Sequence, residues 1–315
     1  MESDKKENWE RGLLEKLAFM SLQETRKARR WGIAFRIFIA VYLVVLLLMF
    51  IGGSWGEKAM SSQYTALVEM DGVIEVGGEV TADTIITGLR SAFEDEASVG
   101  VILRANSPGG SPVQSAYIYD EILRLREKYP NKPIYAVVGD ICASGCYYIV
   151  AAATKIYANP SSLVGSIGVL MDGFGFVGSM KKLGIERRLL TAGENKGMLD
   201  PFSPVDPKDQ RHAQKMLNEV HEQFVAAVKK GRGDALKPNR EIFSGLFWSG
   251  IKAKELGLVD EFGSASYVAR EVVGAEEIVD YSVHENLLER LAGRVGMAMG
   301  KQVTSELRLR GPGLR

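Results

Sequence analysis

The chain has 315 residues, of which 46% are hydrophobic, and its 39 basic and 39 acidic side chains give a net charge of zero. This length and apolar content are enough for one large core and exclude a disordered protein. The charge is balanced, and no basic stripe with interleaved aromatic residues is visible, so we expect no nucleic-acid partner.

The first predicted element is a membrane-spanning helix. The run IFIAVYLVVLLLMFIGGSWG after Arg36 carries no charge over roughly twenty residues, which is enough to cross a bilayer of about 30 Å. Trp31 and Trp55 bracket it, and basic residues crowd its N-terminal side. We predict a cytoplasmic segment over 1–30, a transmembrane anchor over 31–55 and a linker over 56–63. A cleavable signal peptide is the alternative, but no small-x-small cleavage site follows.

From Tyr64 onward, apolar runs of strand length alternate with amphipathic stretches of helix length, which is typical of an α/β fold. In chain order we predict a strand and turn over 65–76, a helix over 81–96, a strand over 99–105, a helix over 113–129 with Ser111 as N-cap, a strand over 133–139, a turn over 140–143 and a helix over 145–153. Next come strands over 155–159 and 166–170, a helix over 176–184, a strand over 185–190, a loop over 191–207, a long helix from Pro207 to about 231, and a smaller helical region over 243–264. The core domain is predicted over 64–275, with a strand and helix extension over 276–315.

Cys142 and Cys146 are the only cysteines, and the further Cys or His ligands of a zinc site are missing from their neighbourhood. We therefore expect no metal and no cofactor. We interpret the two cysteines as small core residues. A disulfide between them is the alternative if the domain faces an oxidising compartment.

Ser144 lies where a predicted strand meets a predicted helix. The first-turn N–H groups of a helix favour negative charge, so this position suits a nucleophile, but it also suits an N-cap. Gly109 and Gly110 follow the preceding buried strand, and glycine lets backbone N–H groups approach a ligand closely. Because neighbouring strands of an open α/β sheet end at the same crevice, we expect the Gly-Gly turn to face Ser144. A tight turn without function is the alternative for the glycines.

The base that would activate Ser144 is harder to identify. The three histidines, His212, His221 and His284, fall on the long helix and near the C-terminus, and we interpret them as surface residues. No G-x-S-x-G motif accompanies them. A lysine can act as the base when burial lowers its pKa. Lys196, in the Pro- and Gly-rich loop, is the candidate placed outside a helix.

Four motifs in order, NSPGGSPVQSA, DICASGCYYIVAAA, SLVGSIGV and AGENKGMLDPFSP, resemble those of the signal peptide peptidase A family of Ser-Lys peptidases. The resemblance spans roughly residues 64–267. It implies the Clp-protease/crotonase fold of stacked strand-strand-helix units, with Ser144 as nucleophile and Lys196 as general base. It also implies that Ser166 orients the lysine, and that Gly145 together with Gly109 or Gly110 supplies the oxyanion-hole N–H groups. Cys146 departs from the Gly or Ala that many members carry.

The N-terminal anchor and the length resemble the short bacterial members of that family. The resemblance implies a serine peptidase held in the inner membrane with its catalytic domain outside the cytoplasm. Its substrates would be remnant signal peptides and other membrane-derived or misfolded peptides. It further implies a homo-oligomer in which the lysine loop of one protomer reaches the serine of its neighbour. A non-catalytic binding member of the same fold and an acyl-thioester enzyme of the crotonase type are the alternatives.

Overall fold

The computed structural model describes residues 31, 33, 35–47 and 63–283. The first fifteen of these are helical, and the large apolar side chains of 35–47 are exposed. Among the described residues, no helix combines the length and the apolar character that a membrane crossing requires. The predicted cytoplasmic segment, positions 32, 34 and 48–55 of the predicted anchor, all but the last residue of the linker, and 284–315 of the C-terminal extension lie outside the described residues. The anchor therefore stays a prediction.

Within residues 63–283 the strands form one eight-stranded sheet in the order β6-β5-β3-β2-β1-β8, with β4 pairing β3 and β7. The strands are β1 (Tyr64–Asp71), β2 (Ser98–Ser107), β3 (Ile134–Ala143), β4 (Lys155–Ala158), β5 (Leu163–Gly165), β6 (Phe247–Ser249), β7 (Glu261–Phe262) and β8 (Ile278–Asp280). Every described pairing is parallel except that of β5 with β6. The α/β class is thus confirmed.

The helices cover both faces of the sheet. They are α1 (Ala82–Glu94), α2 (Pro112–Lys128), α3 (Gly145–Val150), α4 (Val177–Leu183), α5 (Pro207–Arg232), α6 (Gly250–Glu255) and α7 (Ala265–Tyr267), which continues in π-helical turns over Val268–Val273. Short 3₁₀ turns occupy Gly233–Ala235 and Arg240–Phe243. The predicted cap of α2 is confirmed, since Ser111 Oγ accepts from the backbone N–H of Gln114.

Two buried clusters fill the space between sheet and helices. The larger one joins one face of the sheet to α1, α2, α3 and α5. The smaller one joins Leu67, Ile102 and Val137 on the other face to Val268 and Ala269 of the π-helical segment. Burial on both faces explains why the central parallel strands read as nearly continuous apolar runs.

Three predicted elements are wrong. Residues 140–143, predicted as a turn, extend β3, because Ile141–Ala143 gains a second partner in β5. The strand predicted over 166–170 lies a few residues earlier, as β5. Residues 185–190, predicted as a strand, are not in a strand, and all six are exposed. Their apolar side chains have no sheet face to cover.

Arg232 holds the end of α5 to the segment before β7. Its guanidinium donates to both carboxylate oxygens of Asp260, at 2.8 Å each, and to the carbonyl of Gly257, and only 3% of the side chain is exposed. Removing one partner of a buried ion pair leaves the other charge uncompensated. We expect Arg232→Met to lower the free energy of unfolding in urea by about 3 kcal/mol. Lys252→Met, which breaks an exposed pair with Glu255, should cost at most about 0.5 kcal/mol.

Candidate active site

Ser144 joins β3 to α3 in a backbone conformation that is uncommon for a residue with a side chain. Its φ is 53° and its ψ is −123°, and its side chain makes no capping hydrogen bond to α3. Such conformations cost about 1–3 kcal/mol and concentrate at functional sites. Its N–H donates to the Gly165 carbonyl at 2.8 Å, and its carbonyl accepts from the Tyr148 N–H at 3.0 Å. Ser144 thus occupies the N-cap position of α3, but its side chain does not cap the helix.

Ser166 directly follows β5, the strand next to β3, at the same height in the sheet as Ser144. Ala143 of β3 and Gly165 of β5 are register partners, so the two serines are the next residues of adjacent parallel strands. Ser166 also has a φ of 53°, and its N–H donates to the Leu246 carbonyl at 2.8 Å. Two non-glycine residues with positive φ thus lie side by side at the carboxyl end of the sheet.

The Gly-Gly turn packs against Ser144, as predicted. A Cβ added to Gly109 would lie 2.8 Å from both the Ser144 Cβ and the Gly145 nitrogen, so only glycine allows this approach. The Gly109 N–H donates to Ser107 Oγ at 3.1 Å. Within residues 63–283, the N–H groups of Gly110 and Gly145 have no acceptor. These two donors are therefore available for a ligand, and Gly109 is not.

A cleft of about 710 Å³ opens beside these groups, and Ser144, Ser166, Gly110 and Gly145 all line it. Its apolar wall consists of Val113, Ala116, Tyr117, Tyr148, Val169, Leu170, Val220 and Phe224. The Tyr148 ring stacks on Phe224 with centroids 5.0 Å apart, and burial raises the pKa of its phenol, which therefore stays neutral. The cleft can take an apolar side chain beside the serine hydroxyl.

Lys196 lies in a segment that we name the lysine arm, residues 170–205, in which no residue is buried. The arm folds on itself: the rings of Phe176 and Phe202 stack at 5.3 Å, and Arg187 pairs with Asp200 at 3.2 Å. The Lys196 side chain is exposed, does not line the cleft, and forms no hydrogen bond with Ser144 or Ser166 in the described part of the chain. The structure brings together every predicted site residue except the lysine.

The histidines divide into three cases. His212 on α5 is exposed, as predicted, and His284 lies outside the described residues. His221 is half-buried, contrary to the prediction, and its Nε2 lies 3.2 Å from the Ile167 carbonyl oxygen. Because a carbonyl only accepts, Nε2 must carry the hydrogen. The i, i+3, i+7 spacing of His221, Phe224 and Val228 places them on one helix face, which is the signal that could have found this contact.

Cys142 and Cys146 are both fully buried and are joined in a disulfide with a Cα–Cα distance of 5.2 Å. Both interpretations from the sequence are thus confirmed, because the cysteines are core residues and also form a disulfide. The bridge spans the turn that carries Ser144.

Comparison with known proteins places this site in a family. The sequence profile of Peptidase family S49 matches residues 126–278. A Na(+)/H(+) antiporter NhaA of Brucella abortus is 39% identical over 240 residues, which are 74% of this chain and 32% of that protein. A protein of Methanocaldococcus jannaschii, named as a candidate protease, is 36% identical over 67% of this chain and 68% of its own length. A candidate signal peptide peptidase SppA of Enterococcus faecium is 30% identical over 73% of this chain and 68% of its own. The chain thus spans about a third of the antiporter's length.

Proposed function

The chain belongs to peptidase family S49, and from this premise we propose that it is a serine endopeptidase with Ser144 as nucleophile and Lys196 as general base. One observation carries the proposal. Ser144 is held at a positive φ beside two unoccupied backbone N–H groups, at the mouth of an apolar cleft. A nucleophile with preorganised donors next to it is what acyl transfer requires. The parallel-rich sheet fits the Clp-protease/crotonase fold that the family resemblance implies.

The reaction follows from these roles. The uncharged amine of Lys196 takes the proton of the Ser144 hydroxyl as its oxygen attacks the peptide carbonyl carbon. The N–H groups of Gly110 and Gly145 then bind the developing oxyanion. The protonated lysine gives its proton to the departing amine, and water hydrolyses the acyl-enzyme. Ser166 lies next to Ser144 in the cleft and orients the lysine.

Gly110, rather than Gly109, is the second oxyanion donor in this proposal. The N–H of Gly109 is already bound to Ser107, whereas that of Gly110 has no acceptor in the described residues and borders the cleft. Gly109 serves a different purpose, because its lack of a side chain lets the turn approach Ser144.

Gly145→Ala tests the oxyanion donors. The new Cβ would lie 2.5 Å from Ser115 Oγ and 3.2 Å from the Gly110 nitrogen, so it displaces both donors. We expect kcat to fall about 100-fold with little change in KM, because the oxyanion exists only in the transition state. Adding Ser115→Ala removes the closer clash and should restore part of kcat, while Ser115→Ala alone should stay near the parent. Equal kcat in Gly145→Ala and the parent would exclude Gly145 as a donor.

A homo-oligomer with shared sites completes the proposal, because Lys196 is exposed and, in the described part of the chain, does not line the cleft that holds Ser144. Large apolar side chains are exposed along the lysine arm: Leu170, Met171, Phe174, Phe176, Leu183, Ile185, Leu189, Leu190, Leu199, Phe202 and Val205. Monomeric proteins rarely expose so large an apolar patch. We assign this surface to a neighbouring copy of the chain, whose Ser144 receives the lysine, and a head-to-tail contact of this kind can close into a ring.

A single N-terminal anchor in the bacterial inner membrane, with the catalytic domain outside the cytoplasm, is also part of the proposal. The exposed apolar side chains of the helical residues 35–47 and the basic residues before them support it. The disulfide supports an oxidising compartment. The anchor would keep the site near remnant signal peptides and other apolar peptides, which fit the cleft.

Peptide turnover tests the function. The full chain in detergent is incubated with a library of apolar synthetic peptides, and the products are identified by mass spectrometry. Cleavage at internal bonds is expected. Binding without cleavage would identify a non-catalytic member of the fold, and hydrolysis of acyl thioesters in place of peptides would identify an enzyme of the crotonase type.

A further inference from the structure

The Cys142–Cys146 disulfide encloses the catalytic turn. Cys142 belongs to β3, where it is the register partner of Ser107 on one side and Val164 on the other. Cys146 is the second residue of α3. The covalent ring between them contains both the proposed nucleophile, Ser144, and the proposed oxyanion donor, Gly145. It therefore ties the central strand of the sheet to the start of the helix across the reacting groups.

The start of α3 is held by the burial of Gly145, Cys146 and Tyr147 and by the bridge. The helix has six residues, and Ser144 gives it no side-chain cap. The positive φ of Ser144 persists only if the surroundings impose it. Two backbone hydrogen bonds contribute, one from Ser144 to Gly165 and one from Tyr148 to Ser144. The disulfide is the covalent part of this restraint, and it acts within two residues of Ser144 on either side.

We propose that the Cys142–Cys146 disulfide is a positioning element of the active site, so that peptidase activity requires the oxidised pair. The proposal rests on the proposed function of Ser144. In the reduced protein the strand end and the helix start are no longer linked. The Ser144 hydroxyl and the Gly145 N–H then lose their fixed relation, and small displacements of reacting groups are costly in rate.

The redox step needs a dithiol reductant. It transfers two electrons and two protons to the bridge: the S–S bond breaks, each sulfur becomes a thiol, and the reductant becomes its own disulfide. Both cysteines are fully buried, so attack requires local opening and should be slow. A newly made chain in a reducing cytoplasm would stay inactive. After export, a disulfide of an oxidising partner would take two electrons and two protons from the two thiols, so that the bridge forms, the partner becomes a dithiol and the enzyme becomes active. The bridge would thus restrict proteolysis to the oxidising compartment outside the cytoplasm.

The first test removes the bridge by mutation. In the full chain, Cys142→Ala combined with Cys146→Ala should lower kcat at least about tenfold on a peptide that the parent cleaves, with KM changed less than about twofold. Ile149→Val is the matched control, because Ile149 is a fully buried residue of α3 that neither forms the bridge nor lines the cleft. It should lower Tm and leave kcat unchanged, which separates positioning from stability. A double variant with the parent's kcat overturns the proposal.

The second test reduces the bridge chemically. The parent is incubated with dithiothreitol, thiols are counted by alkylation and mass spectrometry in one aliquot, and peptide cleavage is measured in another. Activity should fall in step with the loss of the disulfide and return when dithiothreitol is removed and oxidised glutathione re-forms the bridge, itself becoming two thiols, whereas the double alanine variant should be insensitive. Full activity with two free thiols overturns the proposal. If the parent shows no cleavage that depends on Ser144, the proposed function fails and this inference falls with it.

Discussion

Ser144→Ala should lower peptide turnover by about four orders of magnitude or more while the protein stays folded. The loss is large because the hydroxyl is the nucleophile, and the base and oxyanion donors have no role without it. Folding should be spared, since the Ser144 side chain does not cap α3 and alanine can adopt the same φ of 53° at similar cost. We expect the free energy of unfolding to change by at most about 0.5 kcal/mol. Initial rates on a peptide substrate and urea denaturation measure the two effects.

Ser166→Ala is the matched control for this experiment. Ser166 has the same φ, lines the same cleft and leaves the adjacent strand, but its proposed role is only to orient the lysine. Its loss should cost about 10- to 100-fold in kcat, well short of the Ser144 effect. Turnover by Ser144→Ala within tenfold of the parent would exclude Ser144 as the nucleophile.

The α/β class and most helices could be predicted from the sequence because the hydrophobic period is a local property. The alternation of apolar runs located β1 to β4, and Ser111 before Pro112 marked the start of α2. The end of β3 was missed because its last three residues are stabilised by β5, whose paired residues lie 22 positions later in the chain. Pairing of this kind is a tertiary effect that a local pattern does not contain.

The structure brings the predicted serines and glycines together, but their geometry could not be predicted from the sequence. From the sequence, Ser144 suited an N-cap as well as a nucleophile. The missing side-chain cap and the positive φ are visible only in the structure, where the Ser144 N–H donates to Gly165 of another strand. In the same way, only the position of Ser107 distinguishes Gly109 from Gly110 as a donor. The His221 contact with Ile167 depends on how α5 packs over the end of β5.

Lys196→Ala alone should abolish turnover nearly as completely as Ser144→Ala, because nucleophile and base act as one unit. Lys208→Ala is the matched control. Lys208 follows the lysine arm closely and forms only an exposed ion pair with Glu194. Exposed pairs contribute little, so this variant should keep turnover within about twofold of the parent. Peptide cleavage by the full chain in detergent measures both variants. A Lys196→Ala variant as active as Lys208→Ala would exclude the lysine as the base.

Mixing the two inactive variants, Ser144→Ala and Lys196→Ala, should restore activity if sites are shared between protomers. Each site takes its serine from one copy and its lysine from the next. An intact site therefore forms wherever a Lys196→Ala chain supplies Ser144 and the neighbouring Ser144→Ala chain supplies Lys196. In a random equal mixture, about one interface in four between neighbouring copies holds an intact pair, because each of the two required chains is present with a probability of one half. About a quarter of parental turnover should therefore return. Differently tagged variants, co-purified after subunit exchange, establish that mixed oligomers form. If mixed oligomers form and no activity returns, each protomer must supply its own serine and lysine, and the lysine arm must then fold back over its own cleft.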